Sequence, residues 1–181
     1  MKSALLMILL SVPAWPGPVL DLTPSAAIAG QQATFVGWGY TLSGITSFYA
    51  VPTFSEFSAP AADGVYLDFV SLPSNFVVVP PGGADGQDFD PILQTGIGEF
   101  FIALPAGTTI TGQITLHYDL YSQDPTVNPV VFRLDNTIGA QATIHVVGND
   151  AAAVPEPATW TLALGALLCL ASGLTRRHIH K

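Results

Sequence analysis

The 181-residue chain is 49% apolar and only 10% charged, against roughly 25% charged residues in an ordinary soluble domain. Five basic residues against thirteen acidic ones, for a net charge of −8, exclude a nucleic-acid-binding surface, and a single cysteine excludes a disulfide scaffold. The 17 glycines and 15 prolines follow no period, which excludes collagen and predicts many turns.

At the N-terminus, Met1-Lys2-Ser3 precedes the apolar run Ala4–Leu10. One positive charge followed by a short apolar stretch is the pattern of a secretory signal. Val12 and Ala14 fit the −3 and −1 positions of a cleavage site, so residues 1–14 are expected to be a signal peptide.

The body, residues 19–150, has a period of 2. Ile110, Gly112, Ile114, Leu116, Tyr118 and Leu120 alternate with Thr111, Gln113, Thr115, His117 and Asp119, as in a long strand with one wet face. Val36, Trp38, Tyr40 and Leu42 alternate with Gly37, Gly39 and Thr41. Further strands are expected at Phe48–Val51, Val65–Val70, Phe76–Val79, Glu99–Leu104, Val130–Leu134 and Ala142–Val147. Turn signals separate them, among them Ser43-Gly44, Asp63-Gly64 and Asn128-Pro129. The predicted fold is all-β: an antiparallel β-sandwich, Ig-like or jelly-roll. Phe35, Phe100, Phe101, Phe132 and Ile144 are expected in or near its core, and Trp38 is expected in the core rather than as a ligand platform.

Chemistry-bearing residues are sparse in the body. Asp85, Asp88 and Asp90 lie on a Gly-rich stretch whose carboxylates suit calcium, but the spacing departs from an EF-hand, so no metal is assigned and the reading is an exposed polar loop. Asp119 and Asp124 are spaced as a carboxylate pair for glycoside hydrolysis, and read better as strand-end acids. His117 and His145 each sit on a polar strand face, without an evident third metal ligand. No nucleophile elbow, phosphate-binding loop or His-Glu-x-x-His pattern occurs. An enzyme is not expected, nor a cofactor.

The C-terminal region is more specific. Residues 151–157 are a small-residue linker ending in Pro155-Glu156-Pro157. Residues 158–175 carry no charge, and a helix of that length spans about 27 Å, close to a hydrocarbon core. Arg176, Arg177 and Lys181 follow in the tail, residues 176–181. The basic end is expected in the cytoplasm and the body outside. Between Asp21 and Glu156 only Arg133 is basic, so that region carries −12 and is repelled by phosphate backbones and anionic lipid.

Pro155-Glu156-Pro157, the apolar stretch and Arg176-Arg177, in that order and spacing, resemble the PEP-CTERM sorting signal of Gram-negative bacteria. The resemblance covers Val154–Arg177. It implies export, recognition by a membrane transpeptidase of the exosortase type, loss of the helix during sorting, and association with exopolysaccharide or biofilm. The same tail ends some ice-binding proteins, but ice binding needs a flat threonine array, and Thr108, Thr109, Thr111 and Thr115 belong to one strand. The segment Ala29–Leu42 also resembles the first strands of bacterial Ig-like surface modules. The leading expectation is a non-catalytic protein of the cell envelope or extracellular matrix. The alternative is a carbohydrate-binding module using Tyr49, Tyr66 or Tyr121 on a sheet face.

Overall fold

The computed structural model describes residues 17–148. The expected signal segment, linker, apolar span and basic tail lie outside the described residues. These form strands β1 (Val19–Thr23), β2 (Ala27–Gln31), β3 (Phe35–Ser43), β4 (Tyr49–Phe57), β5 (Gly64–Asp68), β6 (Ala84–Gln87), β7 (Gly98–Ile102), β8 (Thr109–Tyr121) and β9 (Val131–Val147). A 3-10 turn covers Pro73–Asn75, and there is no α-helix among the described residues.

The strands make two sheets. Sheet 1 has the order β1-β3-β7-β5, with β6 also paired to β3, and sheet 2 has the order β2-β9-β8-β4. One core lies between them. Trp38, Tyr40 and Leu42 of β3 and Phe100 and Ile102 of β7 meet Ile110, Ile114 and Leu116 of β8 and Ile144 of β9. The alternation read from β3 and β8 is the cause, because successive side chains point to opposite faces of a strand.

Several expectations are corrected. The sheets are not wholly antiparallel: β2 runs parallel to β9, with Ala27 beside Thr143 and Gln31 beside Val147. The chain leaves sheet 1 after β1 at Pro24, which has no N–H for the ladder, and enters sheet 2 as β2. Phe76–Val79 is not a strand. It follows the 3-10 turn and contributes one bridge, in which Ala50 and Val79 exchange two backbone hydrogen bonds of 2.9 Å. The two strands expected at the C-terminal end of the body are one strand of 17 residues. The polar run Asp135–Thr137, which looks like a break, instead bulges: Asp135 has φ +52° and donates its N–H to Asp119 Oδ1 at 2.9 Å. β4 likewise runs on past Val51, because the register shift between Pro52 and Phe54 accommodates the proline at a sheet edge.

The core list also changes. Phe100 and Ile144 are buried, whereas Phe35 and Phe132 are exposed and Phe101 is half-buried. Phe100 and Phe101 are adjacent on one strand, so only one can face inward, and Phe35 is the cross-strand partner of the outward one. Trp38 is fully buried, as expected.

Candidate functional site

The three aspartates expected on one loop do not converge. Asp85 lies on β6 and accepts the Gly86 N–H at 2.8 Å. Asp90 accepts the N–H groups of Ile92 and Leu93 at 2.8 and 3.0 Å, closing a local turn. Asp88 takes part through its backbone, whose carbonyl accepts the Thr95 hydroxyl at 2.9 Å. Among the described residues no group of three or more His, Cys, Asp or Glu side chains is placed to hold a metal ion. Asp85 and Asp88 do border an open depression of about 290 Å³, together with Thr41 and Gln87. A second depression, of about 230 Å³ and largely apolar, is bordered by Pro18, Ile45, Phe48, Tyr118 and Leu120. Neither border includes a histidine, lysine or cysteine.

Asp119 and Asp124 serve separate backbone roles. Asp119 holds the Asp135 bulge. Asp124 accepts both the N–H and the hydroxyl of Thr126, at 2.9 and 2.6 Å. Those two bonds hold its carboxyl below the usual carboxylate range.

β8 and β9 are neighbours, but their histidines are far apart. His145 stands opposite Thr109, eight residues along β8 from His117, which is roughly 27 Å at about 3.4 Å per residue. His145 lies 3.4 Å from the Thr109 hydroxyl. His117 is more constrained: its ring stacks on Phe54 at 3.7 Å, and its Nδ1 lies 2.6 Å from Asp135 Oδ1. This pair fixes the ring orientation, and the left-handed turn at Asp135 brings the carboxylate to it.

The three tyrosines of the alternative carbohydrate-binding reading do not share one sheet. Tyr49 and Tyr121 are cross-strand partners on β4 and β8. Tyr66 instead packs against the core, and its hydroxyl lies 2.9 Å from Ser55 Oγ and donates to the Ile97 carbonyl at 3.0 Å. Burial pushes that hydroxyl well above the usual tyrosine range.

Ser55, Tyr66 and Asp68 form a network that the sequence does not announce. Asp68 Oδ1 accepts from Ser55 N at 3.1 Å, Ser55 Oγ at 2.6 Å and Val70 N at 2.9 Å, while Oδ2 accepts from Ser71 N at 3.2 Å. Ser55 is 4% exposed and no histidine adjoins it in these bonds, so its hydroxyl is a structural pin. It ties edge strand β4 of sheet 2 to edge strand β5 of sheet 1. The only sequence signal is a polar serine at an inward position of a strand.

Among the described residues no helix is long and apolar enough to cross a membrane. The sorting residues Pro155, Glu156, Pro157, Arg176 and Arg177 lie outside them. No family model, no curated protein and no solved structure matches this chain.

Proposed function

We propose that this chain is an exported, non-catalytic protein of the cell envelope or of an exopolysaccharide matrix. Residues 1–14 direct export. Residues 158–175 hold the chain in the membrane until a transpeptidase of the exosortase type acts at Pro155-Glu156-Pro157. The observation that carries this reading is the order Pro155-Glu156-Pro157, a charge-free stretch of membrane length, then Arg176-Arg177.

The body supports the reading by its surface. Residues 17–148 contain eleven acidic side chains and one arginine, a net charge of −10 that keeps the domain soluble and away from anionic lipid and nucleic acid. We assign the two-sheet body to the Ig-like or jelly-roll class of sandwich, whose role is association rather than turnover. Its partners are the sorting enzyme, the membrane through the C-terminal stretch, and extracellular polysaccharide.

Reporter fusions test the topology. A periplasm-dependent reporter fused after Asp150 is expected to be active, and a cytoplasm-dependent reporter fused after Lys181 is expected to be active. An active cytoplasmic reporter at Asp150 would refute the export reading.

A further inference from the structure

The outer face of sheet 1 carries an apolar row. Phe35 on β3, Phe101 on β7 and Val65 on β5 are register partners across three strands. The rings of Phe35 and Phe101 lie 5.2 Å apart, and Phe35 and Val65 are 50% and 57% exposed. The next row reads Gly37, Glu99, Leu67. Leu67 is exposed, yet Glu99 is only 9% exposed. The Phe89 ring occupies the space where a side chain at Gly37 would stand, so Glu99 has apolar groups in register on both sides. No ion pair involves it among the described residues. Burial pushes its carboxyl above the usual carboxylate range, because partial loss of hydration disfavours the charged form. Such a carboxylate favours a cation that arrives with apolar cover.

One segment of this chain has that chemistry. Arg133 is the sole lysine or arginine among the described residues. It is exposed within Val130-Val131-Phe132-Arg133-Leu134, whose four apolar residues are also exposed, Leu134 at 62%. β2 covers β9 only from Thr143 to Val147, so this end of β9 lies on an open edge. Register shifts between β8 and β9 on either side of Leu120 make the edge irregular, which disfavours strand addition and leaves side-chain contact.

We propose that the two patches are the halves of one head-to-tail self-interface. The Val130–Leu134 end of one copy docks on the Phe35, Val65, Leu67 and Phe101 face of a second, with the Arg133 guanidinium meeting the Glu99 carboxylate. The patches are different surfaces, so the contact is heterologous. Each docked copy keeps one free patch, and assembly propagates as a chain instead of closing as a two-fold dimer. Net repulsion between bodies of charge −10 (residues 17–148) is screened beyond about 8 Å at physiological ionic strength, so moderate salt favours assembly. The inference goes beyond the sorting reading and does not depend on it, since it concerns the body alone.

Photo-cross-linking of the purified full-length protein tests it. With a benzophenone amino acid in place of Phe132, irradiation is expected to give an adduct of twice the chain mass, joined to a peptide containing Val65–Leu67 or Glu99–Phe101 of the second copy. Glu99→Lys and Arg133→Glu are each expected to reduce the adduct by about tenfold or more. A one-to-one mixture of these two variants should restore it, which also shows that both fold, and Arg133→Lys should retain it. No adduct, an adduct joining two Val130–Leu134 segments, an adduct to any other peptide of the second copy, or charge variants without effect would each overturn the proposal.

Discussion

Replacing Trp38 with alanine is expected to lower the unfolding free energy by about 3–5 kcal/mol. The indole is fully buried, lies 5.7 Å from the Phe57 ring, and belongs to the core shared by both sheets. Alanine leaves a cavity that flanking strands, fixed by their ladders, cannot fill. Its Nε1 has no protein hydrogen-bond partner, so Trp38→Phe removes a buried orphan donor together with some volume. That variant is expected to cost only about 1–2 kcal/mol. Urea denaturation followed by circular dichroism separates the two. A loss below about 1 kcal/mol for the alanine variant would place Trp38 at the surface, as a ligand platform requires.

Asp68→Ala is expected to cost about 3 kcal/mol. It removes the acceptor for four donors: the Ser55 hydroxyl keeps the Ile97 carbonyl at 2.7 Å, but the N–H groups of the buried Ser55 and Val70 lose this acceptor. Leaving buried donors unpaired costs more than the bonds themselves contribute. The loss falls where β4 and β5 close one side of the two-sheet stack, so hydrogen exchange should rise first in those strands. Asp124→Ala provides the contrast. Its bonds to Thr126 lie in an exposed turn, and the midpoint should move little. Its depressed carboxyl contributes stability above the ordinary carboxylate range, lost as pH falls through the lowered value. Equal losses for the two variants would contradict a structural role for the Ser55 network.

The legible parts of the fold are those fixed by local alternation. β3 and β8 repeat apolar residues at every second position and fold with that face inward. Three features depend on long-range register and leave no such trace. The polar run Asp135–Thr137 continues as strand only because β8 presents Asp119 to hold the bulge. Phe100 and Phe101 are both strongly apolar, and the pairing of Phe101 with Phe35 decides which faces out. Asp68 meets Ser55 thirteen residues away across the gap between two sheet edges, and no spacing rule anticipates that contact. β1, β2 and β6 are not marked by period because four or five residues are too few to establish one, whereas the equally short β5 and β7 are marked by their apolar and aromatic content. The candidate ligand residues fare differently. Asp85, Asp88 and Asp90 are close in sequence, but strand and turn geometry commits Asp85 and Asp90 to nearby backbone donors.

Export and sorting form the central claim, and the intact mass of the extracellular form tests it most directly. Cells expressing the full chain or its Glu156→Ala variant are fractionated, and the species in membrane and medium are weighed. The unaltered chain should yield an extracellular species lacking residues 1–14 and the apolar stretch 158–175, while the Glu156→Ala chain accumulates in the membrane with that stretch intact and the body as stable as before. A full-length chain in the cytoplasm, or identical released masses from both proteins, would contradict the account.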